Sequence, residues 1–339
     1  MAGVLGIEYV LPSGVLSNDV LSKDFSTWSA DKIEKKTGIS TRRVVGDGET
    51  AVDLGTAAAE KLLSSGLVER DKIDYLILVT QSPDYILPPS ACIIQNKLKL
   101  NTKCGAIDVN LGCSGFVYGL MIAKSLVDSR VANKVLLITA ETYTKYINRN
   151  DKSTRTIFGD AAAATLIGEE GFQIGEFDYG TDGSGQDLLK IPVGGARNPK
   201  TLETVKEKEY DGNFRNSENL YMDGPGIMEF TVREVPGSIS RLLEKEQLDM
   251  DSVDLFILHQ ANEYILRFLQ RKLEIGDDRF YIDMRDTGNT VSASIPIALK
   301  RAMEKGVLRG KNRVLLCGFG VGLSWASTML YMEDKNDSI

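Results

Sequence analysis

The sequence predicts an α/β protein made of two similar halves, with its sheets covered by helices on both faces. Three observations carry that expectation. The first is a set of apolar runs that do not alternate with polar residues: "YLILVT" (75–80), "KVLLITAE" (134–141), "LFILHQ" (255–260) and "RVLLCGFG" (313–320). A strand with one buried face alternates, so continuous runs of this length mark strands buried on both sides. The second is that amphipathic stretches separate these runs, giving the strand–helix alternation of an α/β fold. The third is internal repetition. "KIDYLILVTQSPDYIL" resembles "SVDLFILHQANEYIL", which aligns Asp74 with Asp254. Cys113 then follows Asp74 by 39 residues and Ser292 follows Asp254 by 38, while Val135 and Val314 follow Cys113 and Ser292 by 22 each. We therefore divide the chain near residue 170, into halves 1–170 and 171–339.

The separate elements follow in order. In "TAVDLGTAAAEKLLSSG", Val52, Leu54, Ala58, Leu62 and Leu63 supply the apolar residues of a helix that Gly66 ends. In "DVNLGCSGFVYGLMIAKSLV" (108–127) a hydrophobic run stops at Cys113, and Phe116, Leu120, Ala123 and Val127, with Val117 and Met121, give the following helix its apolar face. Gly112 and Gly115 flank the thiol and remove side chains where a ligand or a second backbone comes close. Between Tyr179 and Gly224 the alternation lapses into glycine- and charge-rich sequence too long for an ordinary connection. This part of 171–224 is expected to be either a surface excursion or a cap over an active site. Pro225 then opens a helix as its first residue, and Pro236 is expected to bend it.

Composition narrows the function classes. Hydrophobic residues make up 42% of the 339 and charged ones 26%, as in ordinary globular proteins. A net charge of -7 and a pI near 5.1 argue against nucleic acid as the main partner. No apolar run approaches the length of a membrane span, and the N-terminus has no basic segment followed by an apolar one, so a cytoplasmic protein is expected. Cys92, Cys104, Cys113 and Cys317 have no CxxC spacing, and with His259 as the one histidine neither a disulfide framework nor a metal site is expected.

Cys113 stands at the end of a buried strand and the start of a helix. The positive end of a helix dipole favours thiolate over thiol, so the position suits a nucleophile; the other reading is a buried cysteine packing as a small hydrophobe. His259 ends the strand that answers "DYLILVTQS" in the repeat, at the kind of strand end where open α/β sheets hold ligands. Asn289 falls just before Ser292, the repeat partner of Cys113. The pseudo-symmetry thus brings 113, 259 and 289 toward one crevice between the halves.

Cys113 in "NLGCSGF", His259 in "HQAN", Asn289 in "GNT" and the tail "GFGVGLSW" resemble the β-ketoacyl-[acyl-carrier-protein] synthase III family of thiolase-like condensing enzymes. "TGISTRR", "FGDAAAATLIG" and "LPPSACIIQNKL" extend the resemblance over most of the chain, the last being similar to a helix at the family's dimer interface. The resemblance implies a thiolase-like fold, with two duplicated halves in a five-layer αβαβα arrangement, and a homodimer. It implies that Cys113 takes an acyl group from an acyl-CoA or acyl-carrier-protein thioester, and that malonyl-acyl carrier protein then loses carbon dioxide and attacks it. His259 Nε2 and the Asn289 amide would donate to the enolate-like oxygen, and the backbone N–H groups of Cys113 and Val321 would form a second oxyanion hole. No metal, redox group or other cofactor is implied; CoA and phosphopantetheine enter as parts of the substrates.

For substrate binding, the resemblance points to Lys32, Lys36 and Lys152, where the family usually has a tryptophan and two arginines that grip the CoA nucleotide. Trp28 lies one helical turn early, so the stacking partner is missing in this register and a carrier-bound pantetheine arm is less affected. Leu87 corresponds to a residue, often phenylalanine, that closes the acyl pocket of the other subunit; leucine leaves a different, larger space. Phe158 corresponds to a pocket-lining aromatic, and Asn262 of "HQAN" is taken with the substrate contacts. Arg267, Arg271 and Lys272 lie at helical spacing, as either a docking face for an acidic carrier protein or a solvated surface. The same three catalytic residues would also serve an acyltransferase, or a condensing enzyme of secondary metabolism, with another acceptor. An NAD-dependent oxidoreductase is the remote alternative: in "GFGVGLSW" the sixth position of GxGxxG is Leu323, and no acidic residue follows about 20 positions on.

Overall fold

The computed structural model describes residues 1–332 apart from Ser26 and Asp211. Nine strands form one mixed sheet: β1 (Gly3–Val10), β2 (Tyr75–Val79), β3 (Gly105–Val109), β4 (Val135–Glu141), β5 (Ala161–Gly168), β6 (Phe172–Thr181), β7 (Leu255–Leu258), β8 (Arg313–Gly320) and β9 (Ser324–Tyr331). Their order is β7-β8-β9-β6-β1-β5-β4-β2-β3. Each apolar run is a strand, and its alternate residues face different layers. Leu76 and Leu78 of β2 pack outward while Ile77 and Val79 pack inward, which is why the run does not alternate.

One pairing pattern occurs twice. β2 runs parallel to β4, β4 antiparallel to β5, and β5 antiparallel to β1; β7 runs parallel to β8, β8 antiparallel to β9, and β9 antiparallel to β6. Asp74 and Asp254 do the same work in each set. The Asp74 carboxylate accepts from the N–H groups of Asn133 and Lys134, and that of Asp254 from those of Asn312 and Arg313, tying each strand to the start of its parallel neighbour. The two sets join where Gly3 and Val4 pair with Gln173 and Phe172.

Helices complete five layers. α1 (Ala51–Leu63) and α2 (Ser90–Lys97) cover the outer face of the first set. α3 (Gly115–Asp128) and α6 (Ser294–Glu304) lie in the middle, where Phe116, Leu120, Ile295 and Leu299 share a core with Ile77 and Leu137 of one set and Ile257 and Leu316 of the other. α4 (Gly224–Glu246) and α5 (Glu263–Lys272) cover the outer face of the second set.

Local details depart from expectation in two places. α4 begins one residue early because the Asp223 carboxylate accepts from the Gly226 N–H, so Pro225 is its second residue; the helix continues through Pro236. At Gly115, where a ligand or a second backbone was expected to come close, it is a neighbouring strand that does, since a Cβ there would strike the Val79 side chain. The long excursion contains two short ladders, Lys208–Tyr210 with Asn213–Arg215 and Leu189–Lys190 with Tyr221–Met222. Its Leu189 and Leu220 are buried in one cluster with Cys113.

Candidate active site

Cys113 sits in the loop between β3 and α3, just ahead of the cap residue Ser114, whose hydroxyl is 2.7 Å from that of Ser324. The cysteine is 4% exposed. Gly320 ends β8 against it, and a Cβ at 320 would lie 2.9 Å from the sulfur. Burial pushes the thiol up to about 12, and the Glu141 carboxyl acts in the same direction, against the N–H groups of Val321 and Cys113 itself. Against the expected thiolate at the helix end, burial of the sulfur acts in the opposite direction from the N–H donors aimed at it. Glu141 is itself fully buried and raised to about 8 by burial; it accepts from the Gln81 N–H and from the hydroxyls of Ser82 and Ser292.

His259 follows β7, and its N–H donates to the Cys317 carbonyl at 2.8 Å. Nδ1 is 2.7 Å from the Ser294 hydroxyl, and the Phe319 ring meets the imidazole edge-on. Burial lowers its pKa to about 3, which favours the neutral ring. Asn289 is held by a bridge across the two halves: its N–H donates to the Ile157 carbonyl, and the Gly159 N–H donates to the Asn289 carbonyl, both at 2.9 Å. Its Oδ1 accepts from the Val291 N–H, which turns Nδ2 toward His259 Nε2, 3.4 Å away. Val291 pays for this bond with a left-handed φ of +54°, rare for a β-branched residue.

Cys113, His259 and Asn289 line one cavity of about 120 Å³, together with Phe158 and Asn262. The N–H groups of Val321 and Cys113 both act on the sulfur, opposing the effect of burial. Asn262 also caps α5, its Oδ1 accepting from the Ile265 N–H. Leu87 is 78% exposed and does not line the cavity of its own chain. Lys32 and Lys36 are exposed, with their ammonium groups 5.7 and 5.0 Å from the Trp28 ring; the aromatic that is a turn early in sequence lies beside both in space. Lys152 is half-buried and donates to the Gly212 carbonyl. Arg267 is engaged by Glu263, Gln270 and Asp277, whereas Arg271 and Lys272 are exposed at the end of α5.

Sequence reasoning did not single out Ser294, Phe319, Gly320 or Glu141. Glu141 had a signal, a lone acid ending an apolar run. Ser294 had none, because nothing local says that its hydroxyl meets an imidazole 35 residues away. Among the described residues no group of His, Cys, Asp or Glu side chains is arranged to hold a metal ion, and no helix is long and apolar enough to cross a membrane.

Comparison with known proteins gives concordant findings. The family model described as 3-oxoacyl-[acyl-carrier-protein (ACP)] synthase III matches residues 107–183, and the model of its C-terminal part matches residues 243–332. The chain is 36% identical to the beta-ketoacyl-[acyl-carrier-protein] synthase III of Caldanaerobacter subterraneus over 332 residues, 97% of each protein. A crystal structure of a 3-oxoacyl-(acyl-carrier-protein) synthase III is similar with a TM-score of 0.95 and 46% identity, covering 98% of this chain and 99% of that one. The Pseudomonas aeruginosa synthase III superposes with a TM-score of 0.86 at 31% identity, over 99% of both chains.

Proposed function

The chain belongs to the 3-oxoacyl-[acyl-carrier-protein] synthase III family, and we propose that it loads an acyl group on Cys113 and joins it to the two-carbon unit of malonyl-acyl carrier protein. The observation that supports these residue roles is the meeting of a thiol, a neutral imidazole and a carboxamide in one cavity.

In the first half-reaction the Cys113 sulfur attacks the acyl thioester carbonyl, and the oxyanion takes hydrogen bonds from the N–H groups of Cys113 and Val321. Burial pushes the thiol up, which favours attack with the proton still shared over prior ionisation. Its proton leaves with the attack and ends on the departing pantetheine thiolate. His259, lowered to about 3, is too weak a base to take it. In the second half-reaction the malonyl group loses carbon dioxide, and the electron pair of the broken bond becomes an enolate. His259 Nε2 and Asn289 Nδ2 donate to its oxygen. The carbanion attacks the acyl carbonyl, expels the Cys113 thiolate and leaves a 3-ketoacyl thioester; the thiolate then takes up a proton. Neutral donors suit this step, because a carboxylate here would repel the forming charge.

The same reading assigns the periphery. Trp28 with Lys32 and Lys36 offers an aromatic face and two cations to the nucleotide end of a CoA donor. Phe158 and Asn262 border the acyl and pantetheine groups, and Arg271 and Lys272 offer charge to an acidic carrier protein. Leu87, exposed beside Tyr85 and Ile86, is matched to a second copy of the chain. A cytoplasmic location fits substrates of this class.

Intact-protein mass spectrometry tests the reading. The wild type and Cys113→Ala are mixed with acetyl-CoA, longer acyl-CoAs and acyl carrier proteins, then with malonyl-acyl carrier protein. We expect an adduct that is absent from the variant and is discharged as a 3-ketoacyl product. An adduct that malonyl does not discharge would assign acyl transfer to another acceptor instead. No adduct from either kind of donor would overturn Cys113 as the nucleophile.

A further inference from the structure

Ser294 opens α6 and is 3% exposed. Its hydroxyl oxygen lies 2.7 Å from His259 Nδ1 and accepts from the Gln260 backbone N–H at 3.4 Å. Among the described residues it has no other partner. Two proton arrangements are open to the pair. If Nδ1 carries the ring proton it donates to Oγ, and the hydroxyl proton is left buried with no acceptor, a loss of about 1–3 kcal/mol. If the hydroxyl donates to Nδ1, all three groups are satisfied. Nε2 then carries the proton and faces the cavity beside Asn289 Nδ2. The 3.4 Å between those nitrogens is long for a direct bond and suits two donors flanking one oxygen. Phe319, the remaining ring neighbour, offers no hydrogen bond.

We propose that Ser294 is the positioning residue that fixes the His259 tautomer, relaying the Gln260 N–H through its hydroxyl so that Nε2 is held as a donor and Nδ1 as an acceptor. The inference rests on reading His259 as a donor to the malonyl-derived enolate. It adds the group that makes a neutral histidine a donor rather than an acceptor at that oxygen.

The chain's one histidine makes the test direct. Long-range proton–nitrogen correlation spectra of protein labelled with ¹⁵N-histidine contain a single imidazole. We expect a protonated Nε2 and a bare Nδ1 in the wild type, which requires no variant to fold. In Ser294→Ala the Nδ1-protonated form is expected to appear. Discharge of acyl-Cys113 by malonyl-acyl carrier protein should fall about 100-fold, more than loading of Cys113 does. Ser294→Thr keeps the hydroxyl and should restore both the spectrum and the discharge. A wild-type ring protonated on Nδ1, or a Ser294→Ala protein with unchanged tautomer and discharge, would overturn the proposal. Failure of malonyl-acyl carrier protein to discharge the wild-type acyl-Cys113 at all would instead sink the condensing reading, because the nitrogen spectrum reports the tautomer without turnover.

Discussion

At Cys113, two opposing effects meet on one sulfur atom: N–H donors that favour thiolate and burial that favours thiol. With burial winning, thiolate is scarce at neutral pH and grows tenfold per pH unit until the thiol's raised value of about 12 is reached. Alkylation of Cys113 by iodoacetamide, followed by peptide mapping so that exposed Cys92 is counted separately, should therefore still be climbing at about pH 10, past the range of an ordinary thiol. A plateau near neutrality would mean that α3 and the Val321 N–H prevail. Gly320 tests the same sulfur sterically. An alanine methyl there would sit 2.8 Å from the Cys113 Cβ and 2.9 Å from its sulfur. Gly320→Ala should cost about 1–3 kcal/mol of stability by overpacking and reduce acyl loading at least 100-fold. Chemical denaturation and adduct mass measure the two losses separately; loading at the wild-type rate would show that the sulfur has room to move.

Among the elements, the loop carrying Asn289 has no regular structure of its own and depends on the bridge to Phe158 and its neighbours. Gly159 lets the two segments close, since a Cβ at 159 would overlap the Thr287 carbonyl oxygen, and backbone cannot swing aside as a side chain can. Gly159→Ala should push the Asn289 loop away, destabilise the protein by about 2 kcal/mol and slow malonyl-driven discharge more than Cys113 loading. Equal effects on both half-reactions would count against a separate role for the loop. This level of organisation was partly legible beforehand. The strands were, because burial on both faces leaves long apolar runs, and so was α1, whose Val52, Leu54, Ala58, Leu62 and Leu63 are all buried. The meeting of 113, 259 and 289 was legible through the repeat, which aligned Asp74 with Asp254 and Cys113 with Ser292. Ser294 was not, because a hydroxyl in "SASIP" carries no sign of the imidazole it meets. The state of the thiol was not either, since burial is a property of packing that a local motif does not contain. The place of Trp28 was not legible for a simpler reason: in sequence it lies about a turn before Lys32 and two before Lys36, but it precedes their helix and its ring lies beside both.

At the scale of the whole molecule, one loop exposes three consecutive apolar side chains. Tyr85, Ile86 and Leu87 are 62%, 93% and 78% exposed at the tip of one loop, and contiguous exposed apolar side chains of this kind mark an interface. The family resemblance implies a second copy as the occupant of that loop, which predicts a recess on that copy to receive it. The recess, about 300 Å³, is bordered by Val15, Leu16, Val44, Ile147 and Phe158, with Arg149 and Arg155 also on its lining. Phe158 also lines the catalytic cavity, so a side chain inserted from a partner would press on the ring that shapes the acyl space. Assembly and acyl selection would then be one event, with each tip entering the other copy in a two-fold exchange. Ile86→Lys tests this by setting a cation among apolar residues and against Arg149 and Arg155, so that no new attraction compensates the lost contact. Light scattering should find the wild type dimeric at micromolar concentration and the variant's dissociation constant raised at least about 30-fold, ~2 kcal/mol. Acyl loading at Cys113 should weaken in step with dissociation, while circular dichroism stays unchanged. A monomeric wild type would remove the second copy from the argument, and a dissociated variant that loads its acyl groups normally would leave the dimer standing but uncouple it from the site.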